Sequence, residues 1–243
     1  MMNAAFAELG LDWRYLKLPV SPERFAETVR ALPASGFRGA NVTIPHKLAA
    51  HDLADERSDA AGAIGAANTL VFENDGRIVV DNTDAGGLLD ALGEPVPSAA
   101  LVLGAGGAGR AAVWALLRAG AEVAVWNRTA ERARELAREM GAQSVERPEP
   151  TELLVNATSV GLRPEDSLKD IPLVEAEIVV DLVYGAEPTA LCRWAASRGA
   201  RVVDGLEVLV RQGARSLERW TGRQAPLDAM RPAVAGAQAQ PRV

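Results

Sequence analysis

The sequence is poor in cysteine, histidine and lysine, and each scarcity closes off a class of protein. It holds one cysteine, Cys192, and two histidines in 243 residues. One cysteine cannot form a disulfide framework within the chain and suits a reducing cytoplasm. With so few soft ligands, and no HxxxH or CxxC spacing, no structural zinc site or other metal site is expected. No apolar run reaches the ~18–20 residues that a membrane-spanning helix needs. Met1–Gly10 has neither a basic start nor a secretory apolar core, so no targeting segment is visible. Long basic blocks are absent and the net charge is −6, which argues against nucleic acid or an anionic membrane as the main partner. What is present, 48% hydrophobic and 24% charged residues, fits a globular protein of one large or two ordinary domains.

Of the 26 basic residues only Lys17, Lys47 and Lys169 are lysines. An amine can lose its proton and a guanidinium effectively cannot. A lysine in this arginine-rich background is therefore a candidate for acid–base work.

Hydrophobic periodicity and turn residues divide the chain into two textures. Residues 2–10 read as a short helix and Trp13–Pro19 as a strand. Ser21-Pro22 opens a helix to about Leu32, and Phe37–Val42 is a strand. Pro45 opens a helix to about Leu53, and Ser58-Asp59 leads into another. Ala67–Glu73 and Arg77–Asp81 flank the hairpin signal Asn74-Asp75-Gly76. Gly86–Leu92 is helical, and Gly93–Ser98 is a boundary. After it, strands at Ala99–Leu103, Glu122–Trp126, Leu153–Asn156, Ile178–Leu182 and Arg201–Asp204 alternate with helices at Arg110–Ala119, Ala130–Met140 and Thr189–Arg198. This β-α-β repetition predicts an α/β fold with a doubly wound parallel sheet. Leu206–Trp220 is a helix that can return to the first domain, and residues 232–243 are expected to fray.

Gly104-Ala105-Gly106-Gly107-Ala108-Gly109 is a GxGxxG run between a strand and a helix, a context that makes it a phosphate-binding turn. Gly104 permits the tight turn, Gly106 the close approach of a pyrophosphate, and Gly109 the packing of helix on sheet. The helix N-terminus offers free N–H groups to the phosphates. The next strand ends Trp126-Asn127-Arg128-Thr129, with Arg132 a turn further on. The carboxylate that would bind an NAD ribose is missing, and two arginines stand where a 2′-phosphate would lie, so the turn selects NADP(H).

In the first half, Asn41-Val42-Thr43-Ile44-Pro45-His46-Lys47 surrounds a strand-to-helix corner, and Asn68-Thr69 and Asn82-Thr83-Asp84 end neighbouring elements. Any one of these asparagines or threonines alone would be a turn or cap; together with a rare lysine and an aspartate they make a polar pocket. His46 neighbours Lys47 but faces another way on a helix, and is read as structural. Cys192, Trp114 and Trp126 are read as packing residues.

Taken together, these motifs resemble the NADP-dependent shikimate dehydrogenase family. The resemblance continues through Gly65-Ala66-Ala67-Asn68-Thr69, Asn156-Ala157-Thr158-Ser159-Val160-Gly161, Asp181-Leu182-Val183-Tyr184, Asp204-Gly205, Gln212-Gly213 and Trp220-Thr221-Gly222. It implies reversible NADP-linked reduction of 3-dehydroshikimate to shikimate, a step of aromatic amino-acid biosynthesis, in a cytoplasmic enzyme. It also implies two α/β domains with the active site in the cleft between them. These are a substrate domain over 1–85 and an NADP-binding Rossmann domain over 98–205, with C-terminal helices in 206–243. Carried over by the resemblance, Lys47 and Asp84 are the catalytic pair, and Thr43, Asn68, Tyr184 and Gln212 hold the substrate. Gly104, Gly106, Gly107, Ala108, Gly109, Asn127, Arg128, Thr129, Arg132, Asn156, Thr158, Ser159 and Gly205 border the cofactor. A homodimer is an assembly such a chain could form.

The sequence departs from the family at its start, where it has neither the usual first strand nor a Ser-x-Ser element that binds the substrate carboxylate. Either the reading frame begins upstream of Met1, which the intact catalytic positions favour, or the chain is a relative that binds NADP(H) and turns over poorly. A missing strand would leave backbone groups of the first sheet unpaired. Ala186 also stands where relatives carry proline, with Pro188 two places later. A quinate/shikimate dehydrogenase accepting NAD and a non-catalytic NADP-binding protein are the alternatives.

Overall fold

Short apolar runs and tight turns give the first half a small mixed sheet. In the computed structural model, which describes residues 1–163, 166–185 and 187–238, α1 (Met2–Glu8) precedes an irregular stretch, 11–21, and α2 (Phe25–Ala31). Then come β1 (Gly39–Asn41), α3 (Lys47–Asp52), β2 (Glu56–Arg57), α4 (Asp59–Ile64), β3 (Thr69–Phe72), β4 (Ile78–Asp81) and α5 (Thr83–Leu92). β3 and β4 pair antiparallel around the expected hairpin, with Gly76 at φ +86°, where a side chain would be strained. β1 adds to β3 antiparallel and β2 to β4 parallel, giving the order β1-β3-β4-β2. Phe25, Val29, Leu53, Leu70, Phe72 and Val80 share the core beneath it.

Several expectations are corrected here. Trp13–Pro19 is not a strand. Its alternation offers two faces, yet no described strand pairs with it; Leu16 and Leu18 stay exposed, and a hollow of about 350 Å³ lies between this stretch and β1. Pro45 does not open α3. It lies in a turn closed by the His46 N–H on the Thr43 carbonyl, and the helix starts at Lys47 with His46 as its N-cap. α5 starts at Thr83 rather than Gly86, because the Asn82 side chain accepts from the Ala85 N–H at 3.4 Å and caps it. Asp84 is thereby fixed in a first helical turn.

The second half continues with β5 (Ala99–Leu103), α6 (Gly107–Arg118), β6 (Glu122–Trp126), α7 (Ala130–Met140), β7 (Gln143–Ser144), β8 (Thr151–Asn156), β9 (Ala176–Asp181), α8 (Ala190–Ser197) and β10 (Arg201–Val203). The strands form one parallel sheet in the order β10-β9-β8-β5-β6-β7. Val102, Leu103, Leu153, Leu154, Val155, Val179 and Val180 have no exposed surface, as expected of strands covered on both faces. β6 and β7 lie to one side of β5, and β8, β9 and β10 to the other, so the strand order reverses there, and in such sheets ligands bind at the carboxyl end of that point. Cys192 is buried, and burial pushes its thiol up; Trp114 and Trp126 pack against core clusters.

The chain then returns to its start. α9 (Gly205–Thr221) and α10 (Leu227–Gln238) bring Val210, Ala214, Leu217, Met230 and Val234 against Met2, Ala5 and Phe6. Residues 232–238 are therefore helical rather than frayed: burying Met230 and Val234 outweighs the missing N–H of Pro232. Residues 239–243, the rest of the segment expected to fray, and Ala186 lie outside the described residues.

Candidate active site

The phosphate turn follows β5, and its glycines have separate causes. Gly104 has φ +110°, and a Cβ there would sit 2.8 Å from the Ala157 carbonyl oxygen. A Cβ on Gly109 would collide with the Gly104 carbonyl oxygen. The fold itself demands both. Gly106 differs: φ is −83°, and a Cβ would meet nothing within 4 Å. Its glycine serves no internal contact and leaves open space before the N-terminus of α6, as a bound pyrophosphate requires.

The end of β6 is tied to this turn. Asn127 Oδ1 accepts from the Ala105 N–H at 3.2 Å, while its Nδ2 donates to the Thr129 carbonyl at 2.9 Å. Arg128, Thr129 and Arg132 are exposed beyond it. Neither arginine makes an ion pair with a described residue, although Arg134 next to them pairs with Glu131 and Glu146. The loop after β8 is built inward: buried Asn156 accepts from the Thr158 N–H and hydroxyl and donates to Asp181 Oδ1 at 2.9 Å. Burial pushes the Asp181 carboxyl up, opposed by hydrogen bonds from Thr189, Val183 and Asn156. Ser159 stays exposed. Gly205 begins α9, where a Cβ would lie 2.7 Å from the Val183 carbonyl oxygen.

The first half presents its polar residues to the same place. Lys47 Nζ donates to Asp84 Oδ2 at 2.6 Å, with the two side chains only 15% and 20% exposed. The other oxygen of Asp84 accepts from Asn68 Nδ2 at 2.8 Å, and that amide also donates to Gln212 Oε1 at 3.1 Å. The Asn68 amide can face only this way, because its Oδ1 accepts from the Thr83 N–H at 2.8 Å. The stem of Lys47 rests on the phosphate turn: a Cβ on Gly107 would lie 3.3 Å from its Cβ and Cδ. Arg110, just after the turn, donates to the Ile64 carbonyl at 2.6 Å and pairs with Glu139 at 2.8 Å, fastening α4 to α6 and α7.

Of the substrate candidates, Asn68 and Gln212 thus join the Lys47–Asp84 pair, while Thr43 and Tyr184 are exposed nearby in the chain's loops and have no described side-chain hydrogen bond. His46 is turned away, stacked on Phe25 at 4.5 Å with Nε2 3.0 Å from the Val20 carbonyl oxygen. The structure adds Tyr15 and Ser216, which no local motif distinguished, and joins both to Asn41 of the strand-to-helix motif. Burial, and then the neighbouring Tyr184, push the Tyr15 hydroxyl up to about 12. One signal was available: Gly86-Gly87 inside a helix costs helix stability and marks a close approach. A Cβ on Gly87 would lie 2.6 Å from the Gln212 backbone nitrogen, so α9 reaches the site because α5 is bare there. A second hollow, about 500 Å³, lies at the opposite end of the parallel sheet beside Thr151, Glu175 and Trp194, away from these groups.

A lysine–carboxylate pair held by amides, against a glycine turn with open space before a helix N-terminus, suits proton transfer beside a bound dinucleotide. Comparisons with known proteins agree. Residues 1–70 match the shikimate dehydrogenase substrate binding domain, residues 91–159 shikimate / quinate 5-dehydrogenase, and residues 205–235 the shikimate 5′-dehydrogenase C-terminal domain. The shikimate dehydrogenase (NADP(+)) of Shouchella clausii is 42% identical over 243 aligned residues, which are 92% of this chain and 88% of that protein. That of Anaeromyxobacter dehalogenans strain 2CP-1 is 45% identical over 93% of this chain and 86% of its own. The crystal structure of shikimate 5-dehydrogenase from Thermus thermophilus, in complex with NADP(H) and shikimate, superposes with a TM-score of 0.88 at 41% identity, covering 97% of this chain and 92% of that one.

Proposed function

This chain belongs to the shikimate dehydrogenase family, and on that premise we propose that it catalyses the reversible NADP-linked reduction of 3-dehydroshikimate to shikimate. The observation that carries the reading is the Lys47–Asp84 ion pair lying against the Gly107 backbone of the phosphate turn. Residues 1–85 act as the substrate domain, 98–205 as the NADP-binding domain, and 206–243 as the return to the first domain. The lone buried thiol suits a reducing cytoplasm.

The residues present fit NADP(H). Gly104 makes the turn possible, Gly106, Gly107, Ala108 and Gly109 leave room and free N–H groups for its pyrophosphate, and the exposed Arg128 and Arg132 suit its 2′-phosphate. Asn127, Thr129, Thr158, Ser159 and Gly205 border it, with Asn156 shaping their loop from behind. When bound, NADPH supplies the hydride that reduces the substrate ketone.

The chain's part is the proton and the geometry. Reduction builds negative charge on the substrate oxygen, and a positioned cation stabilises it. Lys47 directs one ammonium proton at Asp84 and keeps two others, one of which it donates to that oxygen and releases as the alcohol forms. In the reverse direction the neutral amine takes the hydroxyl proton. Asp84 orients Lys47 and stabilises its cation, and Asn68 steadies Asp84 while it and Gln212 bind substrate hydroxyls. Thr43 and Tyr184 hold the remaining polar groups.

Steady-state assays of the purified chain with shikimate or quinate, each with NADP or NAD, test this. Shikimate with NADP is expected to give the highest kcat/KM. A preference for quinate or for NAD would replace the reading with a quinate/shikimate dehydrogenase, and NADP binding without turnover would favour a non-catalytic relative.

A further inference from the structure

Ser216 has no exposed surface and lies one turn beyond Gln212 on α9. Its Oγ is 2.9 Å from Asn41 Nδ2, 2.8 Å from Thr69 Oγ1, 3.0 Å from Thr83 Oγ1 and 3.0 Å from the Gln212 carbonyl oxygen. A hydroxyl has one proton and two acceptor sites, so four neighbours more than fill it and one of them must turn its proton elsewhere.

The protons can be assigned in turn. The Gln212 carbonyl can only accept, so the Ser216 proton goes there, and the two acceptor sites of Ser216 take protons from two of its other three neighbours. Asn41 donates through Nδ2, since its Oδ1 accepts from the Tyr15 hydroxyl at 2.9 Å. One threonine hydroxyl also donates to Ser216. That leaves one for Asn68 Oδ1, from which Thr69 Oγ1 and Thr83 Oγ1 are each 3.1 Å. Every donor then has an acceptor, and Asn68 Nδ2 is left facing Asp84 and Gln212. In a buried network of this kind, removing one member disturbs the others.

We propose that Ser216 is a positioning residue for the reaction: through Thr69, Thr83 and the Gln212 carbonyl it holds the Asn68 and Gln212 side-chain amides toward Asp84 and the substrate. This rests on the reading of Asn68 and Gln212 as substrate-binding residues. The network joins β1, β3, α5 and α9, so the hydroxyl also sets how far α9 reaches over the sheet.

The test is a double-mutant cycle of Ser216→Ala with Asn68→Ala. In the wild-type background Ser216→Ala is expected to lower kcat/KM for shikimate about tenfold, the scale of one buried hydrogen bond, with NADP affinity within twofold. In the Asn68→Ala background the same change should cost less than twofold, because the residue through which it acts is gone. An equal loss in both backgrounds, or none in the wild type, overturns the proposal. A wild-type chain inactive on shikimate would count against the proposed reaction instead. Ser216 is then judged by the side-chain amide NMR signal of Asn68, expected to be sharp in the wild type and broadened in Ser216→Ala; an unchanged signal overturns the positioning role.

Discussion

Lys47 and Asp84 are 37 residues apart in sequence, yet Nζ and Oδ2 lie 2.6 Å apart in a mostly buried ion pair. Neither group is left to act alone, because each holds the other's direction. Lys47→Ala and Asp84→Ala are therefore expected to be strongly non-additive. If each lowers kcat by ~10²-fold, the usual scale for acid–base groups, the double variant should be about as slow as the slower single one. Steady-state kcat values for the four proteins decide this, and multiplicative losses would mean two independent roles.

The glycines of the phosphate turn separate fold from ligand. A Cβ at Gly109 collides with the Gly104 carbonyl, whereas a Cβ at Gly106 meets no protein atom. Gly109→Ala is expected to destabilise by about 1–3 kcal/mol, the range of overpacking, and to lower Tm by several degrees. Gly106→Ala should leave Tm nearly unchanged while weakening NADPH binding by about tenfold or more, since charge-assisted contacts to phosphate are lost. Thermal melts with and without NADPH measure both.

Arg128 and Arg132 stand beyond β6 without a carboxylate partner among the described residues. Replacing either by alanine should raise KM for NADP by about tenfold, the value of one charge-assisted hydrogen bond, and leave KM for NAD nearly unchanged. Parallel loss with both cofactors would show that the arginines do not read the 2′-phosphate.

The elements that were legible in the sequence were those whose signal is local. β5, β6 and α7 start and end where apolar runs, Gly120 and Gly141 place them. Trp13–Pro19 alternates like a strand but has no described strand beside it, and alternation alone carries no information about a partner. β2 and β7, each of two residues, are too short for any period to register. α10 was hidden by an alanine- and proline-rich composition that its packing on α1 and α9 overrides. The site shows the same division. Lys47 stood out by rarity, and the turn glycines by spacing. Tyr15 and Ser216 join the site through contacts with Asn41 that span 26 and 175 residues, beyond any local window along the chain.

The clamp between α9 and α10 should be acid-sensitive. Hydrogen bonds from Arg231 and then Arg211 hold the Glu207 carboxyl well below its ordinary 4.5, down to about 2. A carboxylate whose folded-state value is depressed adds stability above its unfolded value and loses it as pH falls toward the folded one. The contribution is therefore complete above about pH 4.5 and gone near pH 2. Because these side chains are about one-third exposed, it is of the order of 1 kcal/mol or less. Glu207→Gln should lower Tm at neutral pH, with the gap to wild type closing as pH drops through that window. A constant gap would place the effect in packing rather than charge.

The most direct measurement is kcat for shikimate oxidation by Lys47→Ala beside the wild type, with NADPH affinity determined for both by fluorescence. A fall of ~10²-fold or more, with NADPH affinity essentially retained, is the outcome expected of a lysine that handles the proton next to the cofactor turn. Near-normal turnover in Lys47→Ala would remove Lys47 from the chemistry and leave the pair at Gly107 a structural contact.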